Sequence, residues 1–154
     1  GHIDQSLFAR IILDEKNGPP PEVNLFNEKN NGESLLELIE KNYIKSAHDI
    51  SLGGIITAIS KMCIKGNKGI ELKKSKNLIN EIEYFFSEDQ GRYLIEVSPK
   101  NLGEVTKILD KNSVHHEELG VIIDKDIIIS EKTKVTIDEL KSYNTNWLTN
   151  YMES

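Results

Sequence analysis

Two stretches of this 154-residue chain bring together residue types able to do chemistry. The first is Ser46-Ala47-His48-Asp49-Ile50-Ser51-Leu52-Gly53-Gly54, where an imidazole, a carboxylate and a hydroxyl precede a glycine pair. A strand that ends in such a turn and enters a helix leaves free N–H groups at the positive end of the helix dipole, which suits a phosphate. Gly53 and Gly54 carry no Cβ, so a ligand or a neighbouring strand can come close. The same residues also suit a tight βα turn that binds nothing. His48 and Asp49 invite reading as an acid–base pair, but successive side chains of a strand point to opposite faces and are not expected to meet. Ala47, Asp49 and Ser51 then share one side, and Ser46, His48 and Ile50 the other. Asp49 or Ser51 is expected to cap the helix entered at Leu52, and His48 to be a hydrogen-bonded structural histidine.

The second stretch is Glu88-Asp89-Gln90 with Arg92. Two carboxylates and an amide around a turn suit magnesium or a polar ligand. A solvated loop in which Arg92 pairs with a carboxylate accounts for the same composition, and is the reading favoured by these residues alone. Cys63 is the only cysteine, so neither an internal disulfide nor a thiolate cluster can form. Its place on an apolar helical stripe predicts a small buried hydrophobe. His115 and His116 face opposite ways in an extended segment, and no histidines are spaced four apart on a helix, so no zinc site is expected. No catalytic residue and no metal ligand is assigned.

The net charge of −6 opposes a nucleic-acid surface. Lys65, Lys68, Lys73, Lys74 and Lys76 cluster, but no aromatic side chain alternates with them, and they read as a solvated strand edge and loop. With 38% apolar and 29% charged residues, the composition is that of a soluble globular domain. No apolar run approaches bilayer length and no signal peptide is visible, so a reducing cytoplasm is the expected compartment.

The elements that must position these residues follow from periodicity. Ser6 to Leu13 predicts a short helix, and Asn17-Gly18-Pro19-Pro20-Pro21 must leave the helical state. Residues 1–27 therefore read as a connecting segment with a proline-rich linker, and 28–154 as the domain. Leu35, Leu36, Leu38, Ile39 and Tyr43 mark a helix over about Glu28 to Asn42. Strands are expected at Ile44 to Ile50, Gly69 to Leu72, Arg92 to Val97, Val114 to Ile123 and Asp126 to Ile129. Between them lie a helix from Gly54 to about Gly66, a stripe of Leu78, Ile79, Ile82, Phe85 and Phe86, and a helix carrying Leu102, Val105, Ile108 and Leu109. Thr136 is expected to cap the last helix through Glu139 N–H, with Trp147, Leu148 and Tyr151 in a tail beyond it. Strands joined by crossover helices imply an α/β (α+β) domain, layered over a mixed sheet and partly ferredoxin-like.

The succession Ser6-Leu7-Phe8, Gly18-Pro19-Pro20-Pro21-Glu22-Val23-Asn24-Leu25, the Ser46–Gly54 element, Phe86-Ser87-Glu88-Asp89-Gln90-Gly91-Arg92-Tyr93 and the Trp147-Leu148 tail resembles the C-terminal domain of the aminoimidazole ribonucleotide synthetase superfamily. Within it, the chain is similar to the second such domain of the phosphoribosylformylglycinamidine synthase family. The resemblance implies a three-layer α/β/α domain, the last part of a longer synthetase of de novo purine biosynthesis. In that family ATP and magnesium activate the amide of formylglycinamide ribonucleotide, and ammonia from a glutaminase subunit gives the amidine. A small accessory subunit is a further implied partner; nucleic acid and membrane are not. The family's catalytic histidine, most magnesium ligands and main ATP contacts belong to preceding domains, so this domain alone is expected to be inactive and to hold neither ATP nor magnesium. Two positions depart from the pattern: Leu52 stands where an acidic residue is common, and Asn24 where aspartate is usual. Leu52 weakens a magnesium role for the turn and fits a non-catalytic copy that is architectural or helps hold an auxiliary nucleotide at His48, Asp49, Ser51, Gly53 and Gly54. The equivalent domain of a sister synthetase (aminoimidazole ribonucleotide or selenophosphate), or a non-catalytic nucleotide-binding or assembly module, stand as alternatives.

Overall fold

A computed structural model describes residues 1–73, 81–130 and 133–153. The chain divides into two units, residues 1–58 with 79–117 and residues 59–78 with 118–154.

In the first unit, α1 (Leu7–Ile11) is capped by Ser6, whose hydroxyl accepts the Ala9 N–H. The proline segment is coil, and α2 (Leu25–Glu40) begins earlier than its apolar stripe suggests. Asn24 explains the early start: its side-chain oxygen accepts the Asn27 N–H at 3.0 Å and satisfies a donor at the helix end. Strand β1 (Ile44–Ile50) pairs antiparallel with β3 (Arg92–Val97) in a two-stranded sheet. A register shift between Ile44 and Ser46 leaves Lys45 as an extra residue. Beyond it Ala47 lies opposite Ile95 and Asp49 opposite Tyr93, while Ser46 faces Glu96 and His48 faces Leu94. Leu38 of α2 and Val105, Ile108 and Leu109 of α5 (Leu102–Lys111) form the core, with Tyr43, Ile44, Ile95, Val97 and Val114 packed on it. The apolar residues of α5 at i, i+3 and i+4 thus pack with Leu38 of α2, as their spacing predicts, whereas Leu36 and Ile39 of the expected α2 stripe are exposed. Phe8 and Phe86 stack at 4.8 Å between centroids, joining α1 to α4 (Glu81–Phe86). Leu78 and Ile79 of the expected stripe lie outside the described residues, as do Lys74 and Lys76 of the lysine cluster.

The second unit holds a four-stranded mixed sheet in the order β4 (Gly120–Ile123), β2 (Gly69–Leu72), β5 (Ile127–Ser130), β6 (Thr133–Val135). β2 runs parallel to β5 and antiparallel to β4. Ile59 and Cys63, on the half of α3 (Gly54–Gly66) that belongs to this unit, are buried, as are Ile70, Leu72, Ile127 and Ile137. Lys68 pairs with Asp124 and Lys73 with Glu118, so these lysines of the expected solvated edge hold carboxylates of their own unit.

The mixed α/β class with a mixed sheet is present as expected, and several bounds are corrected. Residues 114–119 are coil and only Gly120–Ile123 is strand, because Val114 turns into the α2–α5 core instead of extending a ladder. β6 has no counterpart among the expected strands, because its short Thr-Lys-Val run is too brief for a clear alternation. The last helix, α6 (Ile137–Glu153), does not stop before Trp147: that residue, Leu148 and Tyr151 lie within it. Thr136 caps it as expected, accepting the Glu139 N–H at 3.1 Å.

Candidate functional site

The glycine pair closes β1 and opens α3 with both residues at positive φ, +82° for Gly53 and +69° for Gly54. A Cβ at Gly54 would stand 2.5 Å from the Phe85 carbonyl oxygen and 2.8 Å from that of Ser87, so glycine is needed for close approach as well as for the turn. What approaches is the chain itself, the Phe85–Ser87 backbone.

The turn's N–H groups are also met from within. Gly54 N–H donates to the Ser51 carbonyl at 3.0 Å. Gly53 N–H donates to Glu88 Oε1 at 2.8 Å, and the same oxygen accepts the Leu7 N–H at 2.8 Å. A carboxylate from the second chemical stretch therefore sits at the helix entrance, in the place that would suit a phosphate. Asp89 Oδ1 accepts the His2 N–H at 3.1 Å, so the two adjacent acids grip the incoming chain at residues 2 and 7. Arg92 braces this loop: Nη2 donates to the Ser87 carbonyl at 2.7 Å, Nε to the Asp89 carbonyl at 3.3 Å, and Nη2 lies 3.5 Å from Asp89 Oδ2. Burial lowers the pKa of Arg92 from its ordinary value, against the opposing charge of Asp89. Gln90 is exposed at the turn.

The structure thus brings Gly53, Gly54, Glu88, Asp89 and Arg92 into one cluster. His48 and Asp49 stand apart from it in a shallow open depression lined also by Leu35, Ala47 and Tyr93. Two expectations about them change. Their side chains do meet: His48 Nδ1 lies 2.6 Å from the Asp49 carbonyl oxygen and 3.4 Å from Asp49 Oδ1, because the imidazole folds back along the strand end instead of standing off the sheet. The bonds at the entrance of α3 come from the Ser51 backbone carbonyl and Glu88, in place of the expected Asp49 or Ser51 side chain. Leu52, 62% exposed, brings no polar group to the turn.

Elsewhere, burial pushes the Cys63 thiol up to about 11, in keeping with a buried hydrophobe. His116 is held by the Val114 carbonyl at 3.0 Å through Nδ1, with Asp110 3.9 Å from Nε2. Among the described residues no three or more His, Cys, Asp or Glu side chains gather in a group able to hold a metal ion. No helix among them is long and apolar enough to cross a membrane. The role of Glu88 was hidden from sequence reasoning because its partners are 35 and 81 residues away. The only local signal was an acid in a turn rich in polar residues.

Comparison with known proteins agrees with this architecture. Residues 5–131 match the family model described as AIR synthase related protein, C-terminal domain. The phosphoribosylformylglycinamidine synthase subunit PurL of Pelagibacter ubique is 68% identical over 154 residues, which are all of this chain and 21% of that protein. The PurL of Bartonella henselae is 34% identical over 151 residues, 98% of this chain and 20% of its own length. The chain therefore spans about a fifth of the length of the curated relatives it matches. Among solved structures, T. maritima PurL complexed with FGAR superposes with a TM-score of 0.71 at 22% identity, covering 86% of this chain and 24% of that one. By the family model and the fold together, the chain belongs to the family of AIR synthase related proteins, as a C-terminal domain.

Proposed function

We propose that this chain is the C-terminal domain of a phosphoribosylformylglycinamidine synthase, an ATP-dependent carbon–nitrogen ligase of purine biosynthesis. In that enzyme formylglycinamide ribonucleotide and glutamine-derived ammonia give the amidine. The observation that carries this reading is the 68% identity to a subunit PurL along all 154 residues. Residues 28–154 form the domain and residues 1–27 the segment that connects it to preceding domains, clamped at His2 and Leu7 by the acids of the loop.

Within the enzyme the role proposed for this domain is to brace and shape. The Gly-Gly turn directs an N–H at Glu88, and Glu88 and Asp89 are committed to backbone N–H groups and Arg92, so these residues do not fit a magnesium site. ATP and magnesium are proposed for the complete synthetase, held by its other domains; solved T. maritima PurL structures are described as complexes with ADP and with ATP. A glutaminase subunit and a small accessory subunit are the proposed partners, a PurLQS assembly being known from Thermotoga maritima. A cytoplasmic location goes with this chemistry.

The test is a paired assay with formylglycinamide ribonucleotide, ATP, magnesium and ammonia. The full synthetase subunit is expected to turn over, and the purified 154 residues alone are not. Product from the short chain, or a full subunit inactive on this substrate, overturns the reading.

A further inference from the structure

The chain holds two Asn-Gly pairs, Asn17-Gly18 and Asn31-Gly32, and the fold places them in opposite surroundings. Asparagine before glycine is open to attack by the next backbone nitrogen on its own carboxamide, because no Cβ shields that nitrogen. Asn31 lies in the middle of α2, where Gly32 N–H is engaged in the helix ladder, and its Nδ2 donates to the Gly91 carbonyl at 2.9 Å. Asn17 and Gly18 are exposed coil, with Gly18 at φ +115°. Among the described residues no hydrogen bond holds the Asn17 carboxamide or the Gly18 N–H. Their neighbours are tied down instead. Gln5 Nε2 donates to the Lys16 carbonyl at 2.9 Å and to the Gly18 carbonyl at 3.0 Å, and His2 Nε2 lies 2.9 Å from the Pro19 carbonyl. Residues 2–19 thus close into a loop, which Glu88 and Asp89 grip at Leu7 and His2.

We propose that Asn17 is a site of self-modification, a deamidation that converts it to isoaspartate and opens this loop. The Gly18 nitrogen gives up its proton to water and attacks Asn17 Cγ. The new N–C bond closes a succinimide ring, and the Cγ–Nδ2 bond breaks to release ammonia. Water then opens the ring at one of its two carbonyls, with nothing oxidised or reduced. Opening at Cγ leaves aspartate. Opening at the main-chain carbon leaves isoaspartate, whose backbone runs through the side chain and is one methylene longer. Gln5 bridges the carbonyls on either side of residue 17, and a methylene added between them takes one out of its reach. Gln5 itself holds a positive φ of 62°, a strained state that its two bonds help to maintain. Asp4 opposes the new carboxylate: a Cβ on Gly18 would stand 2.7 Å from Asp4 Oδ2, so that charge already packs beside the reacting pair. As the loop opens, the grip of Glu88 on Leu7 loosens with it.

The experiment ages the full-length native protein in mildly alkaline buffer and follows both asparagines by peptide mapping that separates aspartate from isoaspartate. Asn17 is expected to convert about tenfold or more faster than Asn31, chiefly to isoaspartate, because Asn31 reacts only when α2 opens locally. In denaturant the two are expected to convert at similar rates. Hydrogen exchange on the aged sample should show the Leu7 amide quickened, while an Asn17→Ser variant aged in parallel keeps it slow. Asn17 converting no faster than Asn31 in the native protein overturns the proposal. Aspartate formed without isoaspartate also overturns it, since that product bypasses the succinimide. Conversion to isoaspartate that leaves Leu7 exchange unchanged overturns the opening of the loop.

Discussion

Glu88 Oε1 accepts the N–H of Gly53 at 2.8 Å, and through it a loop 35 residues downstream closes the entrance of α3. The same oxygen holds Leu7 N–H at the start of α1. One carboxylate oxygen thus accepts from two backbone donors that lie 35 and 81 residues away in sequence. An anion at a helix N-terminus is favourable on both hydrogen-bond and dipole grounds, so the chain carries its own substitute for a bound phosphate.

Replacing Glu88 by alanine leaves both donors without that acceptor, and the cost expected is about 1–3 kcal/mol. Glutamine keeps an acceptor oxygen and is expected to cost less. Urea unfolding of the two variants beside the parent measures the difference. Added inorganic phosphate should raise the midpoint of Glu88→Ala more than that of the parent. Equal phosphate stabilisation of both would show that the carboxylate does not fill the turn.

Gly54 and Gly53 differ in what surrounds them. A Cβ at Gly54 meets backbone atoms of Phe85, Phe86 and Ser87, which cannot turn aside; at Gly53 it meets Thr57 Oγ1, which can rotate away, and Thr57 Cβ at 2.9 Å, which needs a small shift of one side chain. Gly54→Ala is therefore expected to destabilise the domain by about 3 kcal/mol or more and Gly53→Ala by less, since both add positive-φ strain but only one adds a backbone clash. Gly54→Val should be worse still. Thermal midpoints in that order support the geometry, and the reverse order for the two alanine variants contradicts it.

Arg92 ties the Ser87 and Asp89 carbonyls with one planar fork. Lysine keeps the charge but cannot donate along both directions at once, so Arg92→Lys is expected to lose about 1–2 kcal/mol despite conserving charge. Hydrogen exchange at the Gly53 and Leu7 amides should quicken in this variant, because the loop that carries Glu88 loosens. A variant as stable as the parent with unchanged exchange would remove Arg92 from the brace.

Asn24 occupies a position where the family resemblance leads one to expect aspartate, and it caps α2 through Asn27 N–H. Asn24→Asp keeps the cap and adds a negative charge at the helix start, so stability should be equal or slightly higher. Asn24→Ala should cost about 1 kcal/mol. Unfolding curves for the pair decide the matter; a neutral alanine variant would mean the cap contributes nothing.

Burial raises the Cys63 thiol to about 11. The folded chain then holds a neutral thiol where the unfolded chain ionises near the ordinary value. The stability this contributes is complete below about pH 9 and declines as pH rises toward 11. At pH 8 the thiolate fraction of the folded form is about one in a thousand, so Ellman's reagent should label native Cys63 far more slowly than unfolded Cys63. Fast labelling of the native protein at pH 8 would contradict the buried placement.

Local chemistry made much of the fold legible. The alternation of Ile44 to Ile50, the i, i+3, i+4 stripe of α5 and the hydroxyl of Thr136 before α6 each act over a few residues, and each element stands where its pattern places it. The positive-φ turn at Gly53-Gly54 was equally readable, because no other residue pair takes that backbone so readily. Contacts between distant segments decided the rest. Val114 left its expected strand for the α2–α5 core, β6 formed because β5 offered an edge, and the polar loop at Glu88 turned inward to two N–H groups. Residue type sets which groups can accept a hydrogen bond or leave water, but which partner each receives depends on loop closure across dozens of residues, and only the folded chain settles that.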